Sequence, residues 1–110
     1  MAIKANIVID QGSDFAVDID LSTADDDVFN LTGYTVNSEM RKNYASSTSV
    51  VFTTSHNGVG GRAVLSLSNT ETSDIEPGRY LYDVEIVSPL GIKTRVVEGI
   101  ATVTPSMTRI

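Results

Sequence analysis

The side chains best able to do chemistry in this sequence are few and scattered. Its single histidine, His56, follows Ser55 and precedes Ser66 in the chain. A histidine near a serine is the beginning of a hydrolytic nucleophile, in which imidazole takes the hydroxyl proton and an acid orients the ring. The rest of that arrangement is absent, since there is no G-x-S-x-G elbow, no second His and no Cys. The run Ser55-His56-Asn57-Gly58 therefore reads as an exposed loop histidine, and no catalytic residue is expected. The carboxylate pairs Asp18/Asp20 and Asp83/Glu85 have the spacing of acid–base pairs on a strand face. Solvated faces of acidic β-proteins carry the same spacing, and glycoside cleavage also needs a cleft between the carboxylates.

Asp25-Asp26-Asp27 brings three carboxylates together, as a hard cation requires. Calcium loops place their ligands at alternate positions and close with a Glu, a pattern missing here, so a solvated acidic loop is expected and no metal site. Gly58-Val59-Gly60-Gly61 lacks the Lys-Ser/Thr end of a phosphate-binding loop and precedes a strand, which makes it a hairpin loop with no cofactor. Sugar-binding sandwiches stack their ligands on flat aromatic rings. This chain has no Trp, and Tyr34, Tyr80 and Tyr82 are expected in the core, leaving Tyr44 as thin support for a glycan site.

Composition narrows the classes further. A chain of 110 residues makes one domain, 1–110, large enough for a core without staples. The absence of Cys removes disulfides and thiolate metal sites, and suits synthesis in a reducing cytoplasm. A formal charge of −6 opposes binding to a phosphate backbone, so no nucleic acid partner is expected. The opening M-A-I-K-A-N-I-V-I-D is too short and too polar for a signal peptide or a span, so no membrane is expected either.

The element on which the chain is organised runs from Ile75 to Val87. Pro77 and Gly78 form a turn, and Tyr80, Tyr82, Val84 and Ile86 then recur at period two, the mark of a buried strand face. Pro-Gly-x-Tyr before a strand also spells a tyrosine corner, the hydroxyl bonded back to nearby backbone. Further strands are predicted at Ile3–Ile9, at Asp14–Leu21 with an acidic outer face, and at 34–41. Others follow at Val50–Thr54, Ala63–Leu67 and 92–103. Lys93 and Arg95 are expected to face Asp83 and Glu85. Glu98-Gly99 interrupts the alternation, and Gly99 predicts a bulge. Ser68 with Glu71 fits a capping box, giving at most one short helical turn near Ser68–Ile75.

The prediction is an all-β, immunoglobulin-like antiparallel β-sandwich of about seven strands. Residues 105–110 are expected as a loose C-terminal tail. Thr48–Thr53, with Val50, Val51 and Phe52, has neither charge nor Pro, the reverse of a protected edge. It is a candidate interface for strand addition, or else it is covered by the N-terminal run; the residues leave both open.

Read end to end, the chain resembles small virion structural proteins of tailed phages, particularly contractile-tailed cyanophages. It is also distantly similar to the immunoglobulin-like N-terminal domain of the phage baseplate upper protein family. The resemblance rests on Ile9-Asp10-Gln11-Gly12-Ser13, Leu31-Thr32-Gly33-Tyr34, Met40-Arg41-Lys42, Ile75 through Asp83 and Arg95-Val96-Val97-Glu98-Gly99. The long region that baseplate upper proteins append has no counterpart in these 110 residues, so a directly equivalent role is not expected. The resemblance implies a non-enzymatic tail, baseplate or neck component or adaptor, made in the host bacterial cytoplasm and located in the virion. Its partners would be other virion proteins, in a homo-oligomer or ring. Capsid decoration is the alternative within that class, and a carbohydrate- or host-surface-binding module the alternative outside it.

Overall fold

The computed structural model describes residues 3–21, 29–43 and 49–107. Its strands are β1 (Ile3–Lys4), β2 (Ile7–Asp10), β3 (Phe15–Asp20), β4 (Thr35–Arg41), β5 (Val50–Val51), β6 (Thr53–His56), β7 (Arg62–Leu67), β8 (Gly78–Val87) and β9 (Lys93–Thr104). One short helix, α1 (Asn69–Ser73), and a single helical turn at Gly58–Gly60 complete the secondary structure among the described residues. The larger sheet has the order β1-β9-β8-β4-β5, with β2 also on β9, and the smaller has β3-β7-β6. The fold is the expected all-β, immunoglobulin-like sandwich.

Alternation builds the core. The inward residues Tyr80, Tyr82, Val84 and Ile86 of β8 are all buried, as are Val97, Ala101 and Val103 of β9. They meet Ala63, Leu65 and Leu67 of β7 across the sandwich, together with Ile9, Leu31, Val36, Met40 and Phe52. The turn into β8 needs Gly78, whose φ of 146° lies where side chains are rarely tolerated. Helix α1 begins at Ser68 as its spelling requires. The Ser68 hydroxyl accepts from Glu71 N–H at 3.2 Å, and Ser68 N–H donates to the Glu71 carboxylate at 2.9 Å.

Two runs expected as single strands are each broken, which turns about seven strands into nine among the described residues. The N-terminal run is interrupted at Ala5-Asn6, between the pairings Ile3↔Val97 and Ile7↔Ala101. Both of its pieces run parallel to β9, so this edge departs from the antiparallel pattern of the remaining pairs. The other break is Phe52, where the chain leaves the larger sheet and enters the smaller.

Gly99 corrects another expectation, because the β8–β9 register is continuous there and Gly99 pairs with Tyr82. The irregularity falls instead between Val84 and Glu85, where pairing passes from Val97 to Arg95 and leaves Val96 as the extra residue. Gly99 has a different reason to be glycine. A Cβ there would run into the carbonyl of Ala5, the point at which the N-terminal run crosses β9.

The segment after β9 is tied down at first, with Ser106 N–H donating to Gln11 Oε1 at 3.2 Å, while Met107 is exposed. The acidic loop Asp25–Asp27 and Tyr44 lie outside the described residues.

Candidate interaction edges

The tyrosines of β8 hold the scaffold. Tyr80 donates its hydroxyl to the carbonyl of Glu76 at 2.8 Å, completing the corner that follows from Pro77-Gly78. Lys42 Nζ stands 4.7 Å from the centre of the Tyr80 ring. Tyr82 reaches much further along the chain and donates to the carbonyl of Ala5. Burial pushes both phenols above the ordinary tyrosine range, with the Glu76 charge adding to the effect at Tyr80. Pro77, Gly78, Tyr80, Tyr82 and Gly99 thus lie where the E–P–G turn and the N-terminal crossing meet the central strand.

His56 is not in a loop. It ends β6, with Nε2 bonded to the carbonyl of Tyr34 at 2.8 Å and Nδ1 accepting from Gly58 N–H at 3.1 Å. That pattern requires the tautomer with the proton on Nε2. Both ring nitrogens are spent on backbone, so the imidazole serves the fold. Ser66 Oγ makes a long contact of 3.5 Å to the Thr53 carbonyl. Asp18 and Asp20 share Arg62, which approaches Asp20 at 2.8 Å and Asp18 at 3.8 Å. The Arg62 hydrogen bond holds the Asp20 carboxyl below its ordinary range. On the outer face of the larger sheet, Arg95 reaches Asp83 at 3.3 Å and Glu98 at 3.4 Å, while Lys93 sits opposite Val87. Arg95, Asp83 and Glu98 border an open groove of about 470 Å³ that Leu81 and Ile100 also line.

The candidate edge Val50, Val51 and Phe52 divides. Val50 and Val51 form β5, the end of the larger sheet, paired with Met40 and Glu39. Val51 is 60% exposed, but Phe52 is only 3% exposed. The Phe52 ring lies 6.1 Å from that of Phe15 and 6.4 Å from that of Tyr82, which makes it core and removes it from any outer surface. The N-terminal run does not cover this edge, because it pairs with β9 at the other end of the sheet.

Beyond Val51 the edge of β4 is closed by a ladder that sequence reasoning missed. Phe52 N–H donates to the Ser38 carbonyl at 3.0 Å and the Thr54 hydroxyl to the Val36 carbonyl at 2.6 Å. The His56 imidazole takes the Tyr34 carbonyl. Residues 52, 54 and 56 thus answer 38, 36 and 34, each set at period two. The sequence carries a donor side chain at each of Thr53, Thr54, Ser55 and His56, so no alternation marked 54 and 56 as the ladder. Among the described residues Phe52, Tyr80 and Tyr82 are buried, and Phe15, Phe29 and Tyr34 are partly buried. No helix among them is long and apolar enough to cross a membrane.

No family model matches the chain, and no curated protein matches it. Among solved structures, it is similar to an internalin-like protein of Listeria monocytogenes at 17% identity and a TM-score of 0.47. That match covers 94% of this chain and 28% of the other. It is also similar to a family 123 glycoside hydrolase from Clostridium perfringens at 12% identity and a TM-score of 0.42, covering 97% of this chain and 24% of the enzyme. The chain therefore spans roughly a quarter of the length of either protein. At these identities neither likeness says what this chain does.

Proposed function

We propose that this chain is a non-enzymatic structural component of a tailed-phage particle, acting through protein–protein contacts. The reading rests on the resemblance of its turn and strand landmarks to small virion proteins. The structural observation that supports it is the end of the larger sheet. There β5 leaves Val51 exposed beside a rigid core, with no charge or Pro on the strand itself. An edge of this kind can accept a strand or a loop from a neighbouring copy or another particle protein. Meanwhile the one histidine, the buried Ser38 and the buried Thr72 all spend their polar atoms on backbone partners.

The experiment is quantitative mass spectrometry of purified particles, counting copies of this chain. Hundreds of copies would place it in a capsid lattice as a decoration protein, and a small multiple of three or six would place it in tail, neck or baseplate. Absence from the particle would overturn the reading. Val51→Lys supplies a second test, because Val51 projects outward and the isolated chain should keep its stability within about 0.5 kcal/mol. Incorporation into particles should fall. Normal incorporation of the variant would remove β5 from the interface.

A further inference from the structure

The two long sides of the sandwich are finished differently. On the side of β4 and β6 the ladder from Phe52 to His56 joins the sheets, whereas on the opposite side β3 is the end of the smaller sheet. Among the described residues β3 pairs only with β7, over the whole of Phe15–Asp20. A strand with one partner leaves the backbone N–H and C=O of every second residue unused by its sheet. β3 has no Pro and no bulge along its length.

Its inward row is incomplete. Phe15, Val17 and Ile19 face the core but remain only partly buried, while their cross-strand partners Leu67, Leu65 and Ala63 are sealed. Among the described residues the apolar layer therefore stops at β3 on this side. The outward row is Ala16, Asp18 and Asp20, preceded by Asp14. Arg62 is the cation these carboxylates pair with, contacting Asp18 and Asp20, and Asp14 accepts from Asn69 N–H at 2.7 Å. Three carboxylates against one guanidinium leave this rim acidic.

We infer that the free edge of β3 is a strand-addition site for an extended segment of another protein that alternates basic and apolar residues. The apolar residues would finish the row of Phe15, Val17 and Ile19, and the basic ones would lie beside Asp18 and Asp20 on the outer face. Period two on both strands makes these requirements compatible, since the side chains of an added strand alternate in step with those of β3. A second copy of this chain does not meet them. In an antiparallel β3 pair the outward positions of one copy face those of the other, which sets at least one Asp directly opposite another and is unfavourable. This site is separate from Val50–Val51 and does not depend on the phage reading.

The test is an amide NMR titration of the full chain with a short synthetic peptide alternating lysine and valine, its ends acetylated and amidated. The control peptide carries glutamate in place of lysine. Expected are shifts concentrated on Phe15–Asp20 and the facing residues of β7, with affinity falling as salt rises. The control should not bind. Asp18→Asn, at a solvent-facing position that leaves the Arg62–Asp20 contact in place, should weaken binding by up to about fivefold, the upper end for one cross-strand charge pair. Equal binding of the glutamate peptide, shifts centred elsewhere, or no binding at millimolar peptide would each overturn the inference. Self-association through β3 in sedimentation of the free chain would overturn it in favour of a second copy.

Discussion

Replacing Gly99 by alanine isolates one contact, because only space stands against it. Gly99 is not among the glycines with positive φ, so its backbone already suits a side chain. The added methyl would meet the Ala5 carbonyl, and β9 cannot retreat because it is held along its length by β8. The N-terminal crossing must give way. Its attachments are Ala5 N–H to the Glu98 carbonyl at 2.9 Å, Ile100 N–H to Asn6 Oδ1 at 3.0 Å and the Tyr82 hydroxyl to the Ala5 carbonyl. Three hydrogen bonds at about 1 kcal/mol net each set the loss near 3 kcal/mol. Relief of glycine's strand penalty returns about 0.5–1 kcal/mol. Ile3 is 55% exposed, so releasing β1 forfeits little apolar burial. The expected destabilisation is about 2 kcal/mol in urea denaturation, with β2 still paired and faster hydrogen exchange confined to residues near Ala5. A double-mutant cycle sharpens the test. Tyr82→Phe alone should cost about 1 kcal/mol, and close to nothing in the Gly99→Ala background, where its acceptor has already moved. An unchanged midpoint for Gly99→Ala, or the same Tyr82→Phe cost in both backgrounds, would refute the reasoning.

Tyr80→Phe keeps the buried ring and the Lys42 contact but removes the bond to Glu76, and should cost about 1 kcal/mol in denaturant titration. Phe52→Ala should cost about 3–5 kcal/mol by the same measurement, because it empties the space between Phe15 and Tyr82. Both buried tyrosines titrate above the unfolded value of about 10, so the folded state holds its phenolic protons more tightly. Their contribution to stability is complete below that pH and is lost as pH rises through the folded values. Urea midpoints measured across the alkaline range should fall, and should fall less steeply in the Tyr80→Phe variant.

What could be read from the sequence was what depends on near neighbours or on alternation. The tyrosine corner spans Glu76 to Tyr80 and the capping box Ser68 to Glu71, so each is written within a few residues. Period two in Tyr80–Ile86 placed the buried face of β8 correctly. Contacts between distant residues were not legible. Gly99 breaks the pattern as a bulge would, yet its glycine is required by Ala5, at the other end of the chain. Ser55-His56-Asn57-Gly58 has turn composition, and only the folded chain brings the Tyr34 carbonyl to the imidazole. The parallel direction of β1 and β2 likewise has no local signature, because it follows from the path the chain takes around the sandwich. For the candidate edge, composition identified an unprotected run but could not show that Phe52 turns inward while Val51 turns out.

The two sides of the sandwich show why edge composition alone misleads. The run after Val50 is uncharged and reads as sticky, yet most of its length is occupied in capping β4 through Phe52 N–H, the Thr54 hydroxyl and the His56 imidazole. Asp14–Leu21 carries acids at alternate positions, an outer face that suits solvent or a basic neighbour, yet its inner row is only partly buried. Outward charges leave an edge's backbone groups free to pair, and they select the charge of whatever pairs with it. The acidic strand therefore has the longer unpaired edge among the described residues on these two sides, while the strand that looks exposed offers only the two residues of β5.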